Sequence, residues 1–93
     1  DETNTCLEAN LTRPSHCDRP IDESLPYDAM AEAARGMAHV HLIDLTDTMC
    51  WDGTCKSTVG GVVVFRDYHH ISSTFSITLA PQLTRALDAL RLA

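Results

Sequence analysis

With 93 residues, the chain can build one small domain around a modest core. Thirteen acidic residues against seven basic ones leave a net charge of -6 and no basic stripe, which argues against a nucleic-acid partner because nothing is placed to release counterions from a phosphate backbone. A hydrophobic share of 44% beside 22% charged residues is that of a globular chain, and no apolar run approaches the ~20 residues a transmembrane helix needs. The chain starts at Asp1 with neither a methionine nor a signal peptide, which predicts a piece of a longer polypeptide whose targeting information lies elsewhere.

Residues 1–22 carry Cys6, Asn10, Pro14, Cys17 and Pro20 with little periodicity, so they are expected to form an irregular arm with a structural role. Four cysteines in so short a chain favour disulfides and an oxidising compartment. Three pairings are open; Cys6 with Cys17 and Cys50 with Cys55 close the shortest loops. Zinc is the competing use of these thiols, and their spacings fit the usual close cysteine pairs of zinc sites poorly.

Residues 25–93 are expected to hold the α/β portion. Ser24, an early Pro26, acid in the first turn and Arg35 before Gly36 agree on a helix over Asp28–Arg35, with Gly36 ending it. Tyr27, Met30, Ala31 and Ala34 share one face of that helix and are expected to pack on the core. His39–Leu45 then has the near-continuous apolar pattern of an interior strand, and a helix before such a strand suggests α/β layering. His39 and His41 would face the same side of that strand, as its more polar entrance or as a metal pair. Asp44 and Asp47 follow; either could orient a histidine, and Asp44 could equally satisfy backbone donors at the strand's end.

Thr48–Cys55 reads as a loop with Asp52-Gly53 as its turn, and Trp51 as a ring expected to be packed away, the alternative being that it covers a site or lines an acyl pocket. Gly60-Gly61 between Lys56–Val59 and Val62–Phe65 suits a two-residue hairpin. Ser72 or Ser73 can cap a helix whose Phe75, Leu79, Leu83, Leu87 and Leu90 recur every three or four residues as a core stripe. Pro81 inside that stripe should kink the helix or start its main segment.

Chemistry concentrates in Val62-Val63-Val64-Phe65-Arg66-Asp67-Tyr68-His69-His70-Ile71-Ser72. A short apolar strand breaks into charge and imidazole, and polar groups at a strand's end are where sites tend to sit. Asp67 and His70 are three residues apart, so one turn can bring the carboxylate to Nδ1 and leave Nε2 to take a proton, which is two thirds of a nucleophile-activating triad. The plainer alternative is a capping aspartate in a solvated turn.

These pieces resemble a known family. Gly60-Gly61, the apolar strand, Asp67-x-x-His70-Ile71-Ser72-Ser73 and a helix containing Leu79-Ala80-Pro81-Gln82-Leu83 look like the last block of the SGNH (GDSL-like) hydrolases. Leu42-Ile43-Asp44-Leu45-Thr46, the close pair Cys50 and Cys55, and Arg66-Asp67-x-His69-His70 are similar to the SGNH domain that ends many acyltransferase-3 membrane proteins, the actinobacterial type above all. The likeness runs from Cys6 to Leu90 and implies the C-terminal part of a flavodoxin-like three-layer α/β sandwich. It implies that Asp67 and His70 are the acid and base of a Ser-His-Asp triad, with His69 only the neighbour. The family's Gly-Asp-Ser block with the nucleophile, and the two middle blocks whose Gly and Asn form the oxyanion hole, have no counterpart in this sequence.

What the resemblance implies for function is an extracytoplasmic O-acyltransferase, tethered to the membrane through its parent protein. It would need no cofactor and would pass an acyl group, received from a donor delivered by the membrane acyltransferase domain, to a carbohydrate or glycolipid hydroxyl. Esterase activity is the same chemistry with water as acceptor. Two other classes compete: a disulfide-stapled secreted binding module, and a metal site built from His39, His41, His69 and His70.

Overall fold

The computed structural model describes residues 2–25, 27–67 and 70–90. Its N-terminal arm is more ordered than its sequence suggests: helix α1 spans Glu2–Ala9, and a 3₁₀ turn covers Pro14–Cys17. Eight residues are too few for a helix to persist on propensity alone. What holds α1 is tertiary: Leu7 is buried, Cys6 is bonded to Cys17, and the Asn10 carboxamide donates to the Cys6 carbonyl at 2.9 Å.

Strand β1 (Arg19–Pro20) leads into the short helix α2 (Ile21–Ser24), and helix α3 covers Ala29–Arg35. The N-cap of α3 is Asp28, whose carboxylate accepts from the backbone amides of Met30 and Ala31 at 3.0 and 3.1 Å; Gly36 is the C-cap, as expected. Pro26 lies outside the described residues. The expected burial of the helix face does not occur, since Tyr27 is 79% and Met30 83% exposed.

The segment expected to be the best strand, His39–Leu45, joins neither sheet of the described residues. His39 has a positive φ of 65°, Val40 and Leu42 are exposed, and a 3₁₀ turn over Thr46–Thr48 follows. An apolar run becomes a strand only when another strand takes up its backbone groups, and no strand of the described residues does so here.

Two hairpins form the centre. Strands β2 (Cys50–Trp51) and β3 (Thr54–Cys55) pair antiparallel, and β1 adds to the far side of β3 to give the order β1-β3-β2. The Asp52-Gly53 turn has φ of 51° and 83°, the left-handed pair a two-residue hairpin requires. Cys50 lies opposite Cys55 in this ladder, so the second disulfide crosses the hairpin. Strands β4 (Thr58–Val59) and β5 (Val62–Val63) make the other hairpin, with φ of 57° and 78° at Gly60 and Gly61.

Helix α4 (Ser73–Thr78) and helix α5 (Ala80–Leu90) close the fold, with the break falling at Leu79 just before Pro81. Val64, Phe75 and Leu79 form the core, with Leu45, Met49, Val59, Val62, Phe65 and Ile71 packed against them. The stripe expected to be core along the C-terminal helix is therefore buried only at its start; Leu83 and Leu87 are exposed. A molecule with extents of 48 × 26 × 22 Å has little interior in which to bury them. The result is a mixed α/β arrangement of helices and small antiparallel sheets with both short-loop disulfides, Cys6–Cys17 and Cys50–Cys55, in place.

Candidate active site

Asp67 and His70 sit on a loop that the core holds at both roots. Phe65 and Ile71 form an antiparallel bridge and both pack on the core, while the Arg66 amide donates to the His70 carbonyl at 2.9 Å. One residue beyond, the Ser72 amide donates to the Val64 carbonyl at 2.7 Å and its hydroxyl to the Val63 carbonyl at 2.6 Å. The two arms of the loop are thus laced together from Val63 to Ser72.

Within this frame the three-residue spacing brings the Asp67 carboxylate to the His70 ring. His70 Nδ1 lies 2.9 Å from Asp67 Oδ1 and 3.1 Å from Oδ2, and Arg66 Nε approaches Oδ2 to 3.7 Å. An ionised carboxylate can only accept, so Nδ1 carries the hydrogen and Nε2 is left as the basic nitrogen of the neutral ring. The imidazole is 60% exposed and the carboxylate 35%, so the ring is open to solvent while the carboxylate beside it is half-buried. His69 and Tyr68 lie outside the described residues.

The hydroxyls of Ser72 and Ser57 are engaged in bonds of their own. The Ser72 hydroxyl accepts from the Phe75 amide at 3.1 Å as N-cap of α4 while donating to Val63, which settles the choice of cap between Ser72 and Ser73. Ser57 is buried, its amide donating to Asp18 Oδ1 at 2.9 Å and its hydroxyl 2.7 Å from the Pro14 carbonyl.

Other residues singled out by sequence fall elsewhere. Asp44 bonds with the Thr46 side chain and accepts from the Thr46 amide at 2.9 Å, and these two bonds, helped by the Arg35 charge, hold its carboxyl below the usual aspartate value despite an opposing effect of burial. It is a turn cap, not a partner for a histidine. His39 and His41 are exposed and lie outside any strand, so the two-residue period that would align them does not operate. Among the described residues no group of three or more His, Cys, Asp or Glu is gathered that could hold a metal ion. Trp51, expected to be packed away, is 42% exposed with Lys56 Nζ 5.0 Å from its ring centroid. A separate cleft of about 360 Å³ lies between α3 and the 42–46 segment, lined by Leu25, Ala31, Arg35 and Leu42 among others.

Sequence reading missed one contact at the site: Asn4 Nδ2 in α1 donates to the Arg66 carbonyl at 3.2 Å, across 62 positions of chain. No local pattern announces a bond of that span.

The structure thus presents a histidine, in contact with an aspartate three residues earlier, on a turn braced by hairpin and helix. The chain belongs to the family of SGNH domains fused to AT3 domains, whose model matches residues 2–85. Neither the curated proteins nor the solved structures compared with it give a match. Among the described residues no helix is long and apolar enough to cross a membrane.

Proposed function

We propose that this chain is the C-terminal portion of an extracytoplasmic SGNH-type O-acyltransferase domain and supplies its acid–base pair. The observation that carries the reading is the 2.9 Å contact between His70 Nδ1 and Asp67 Oδ1 beneath an exposed ring. In this reading Nε2 of His70 takes the proton of a serine hydroxyl as that oxygen attacks the acyl donor, then returns it to the leaving group. In the second half-reaction it takes the proton of a carbohydrate hydroxyl as that oxygen attacks the serine ester, and returns the proton to the departing serine oxygen. Asp67 holds the ring in the required tautomer and stabilises the imidazolium.

The serine would come from outside these 93 residues, since the sequence has no Gly-Asp-Ser block and Ser57 and Ser72 are committed to backbone bonds. The acyl donor, acetyl in our reading, would arrive through the membrane acyltransferase domain of the parent protein. Two disulfides suit an oxidising, extracytoplasmic compartment.

In the protein carrying the complete SGNH domain, His70→Ala and Asp67→Ala should each lower acyl transfer by about 10³-fold or more, as in other serine triads. The isolated chain should not turn over a chromogenic acetyl ester. Turnover by the isolated chain that vanished in His70→Ala would overturn the external serine; full transfer activity in both variants of the complete protein would overturn the pair.

A further inference from the structure

The Asp67–His70 contact depends on how Asp67 is aimed, and the peptide plane it hangs from contributes to that aim beside the Arg66 Nε contact at its carboxylate. The Arg66 carbonyl and the Asp67 amide belong to one planar peptide group, so whatever holds the oxygen fixes the direction in which Asp67 Cα leaves it. On the amide side of this plane Asp67 N lies 3.5 Å from the His70 carbonyl. On its carbonyl side, Asn4 Nδ2 donates to Arg66 O at 3.2 Å.

Asn4 is well placed to act as a fixed point because its helix is anchored two residues on. Cys6 is bonded to Cys17, and Leu7 is buried. Cys17 ends the Pro14–Cys17 turn, which is tied to the centre of the fold through Ser57: Pro14 O meets its hydroxyl and Asp18 Oδ1 its amide. The Ser57 carbonyl in turn accepts from the Val64 amide at 2.9 Å, and Val64 O accepts from Ser72 N. A ring of covalent and hydrogen bonds therefore runs from the second hairpin through the first disulfide to Asn4, reaches Arg66, and returns through the loop's own roots.

We propose that Asn4 is a positioning residue for the Asp67–His70 pair, and that the Cys6–Cys17 disulfide acts on the pair through it. This rests on the acid–base reading above but makes a separate claim about how the pair is held. Asn4 touches no reacting atom; it acts through the Arg66–Asp67 peptide group.

The test uses the 93-residue chain and reads the neutral His70 ring by long-range ¹⁵N–¹H NMR, which reports whether Nδ1 or Nε2 carries the hydrogen. Asp67→Ala should move the population away from the Nδ1–H form. Asn4→Ala should move it the same way, lowering the Nδ1–H to Nε2–H ratio by about threefold, the scale of one modest hydrogen bond. Cys6→Ser with Cys17→Ser should do likewise, and Asn4→Asp, which sets a carboxylate against a carbonyl, at least as much. Asn4→Ala added to Asp67→Ala should change nothing further, an outcome that general loosening of the fold would not produce. If Asp67→Ala leaves the ratio untouched, the acid–base pair itself is refuted. If Asp67→Ala shifts it but Asn4→Ala does not, or adds independently, only the positioning role falls. Asn4→Ala alone decides the question should the cysteine variant fail to fold, the dispersed amide resonances of Val64 and Phe75 serving as the check on folding.

Discussion

Replacing Ser72 by alanine should destabilise the chain by about 2 kcal/mol while leaving the chemistry of the His70 ring where it is. The hydroxyl makes two bonds: it caps α4 at the Phe75 amide, worth about 1 kcal/mol, and donates to the Val63 carbonyl, worth about 1 kcal/mol more. The Ser72 amide keeps its 2.7 Å bond to Val64, so the strand-to-helix path survives. For a domain of this size each kcal/mol shifts Tm by about 4–8 °C, so a drop of roughly 8–16 °C is expected by circular dichroism, with a matching fall in the urea midpoint. Ser72→Thr should recover most of it, because the cap residue's φ of -68° and ψ of 151° suit a β-branched side chain that keeps the hydroxyl. A loss below about 0.5 kcal/mol, or a threonine variant as damaged as the alanine one, would refute the structural assignment of this hydroxyl. Labelling of Ser72 in the folded chain by a fluorophosphonate probe would refute it from the opposite direction, by showing a nucleophile where we place a cap.

Two further outcomes follow from named contacts. Asp18→Ala removes the acceptor of the buried Ser57 amide and should cost about 1–3 kcal/mol in urea unfolding, whereas Asp18→Asn, which keeps an oxygen there, should cost less. Asp44 has its carboxyl held below the ordinary value when folded, so it contributes stability that is complete above about pH 4 and is lost as the pH falls through the folded value. Asp44→Asn should therefore reduce stability slightly at neutral pH and progressively less as the pH falls below about 4, and urea midpoints measured across that range check the sign. The effect is small because the group is exposed.

The elements that sequence alone determined are those whose decisive partners lie within a few residues. Asp52-Gly53 and Gly60-Gly61 turn their hairpins because positive φ at both positions is accessible to those residue types. Asp67 meets His70, Ser72 caps α4, Gly36 ends α3, and Pro81 marks the start of the last helix, each through contacts or steric limits that span at most four residues. The two disulfides close short loops and were legible for the same reason.

Tertiary structure alone decided which apolar faces are covered and what steadies the site. Periodicity says that Tyr27 and Met30, or Leu83 and Leu87, share a side of a helix; it says nothing about whether another surface lies against that side, and here they are exposed while Phe75 and Leu79 meet Val64. His39–Leu45 has a strand's composition without a strand's hydrogen-bonding partner. Helix α1, too short to stand by itself, exists through Cys17 and a buried Leu7, and its Asn4 reaches a carbonyl 62 residues away. Such contacts depend on where the whole chain has been folded, and no local preference of residue type encodes that distance.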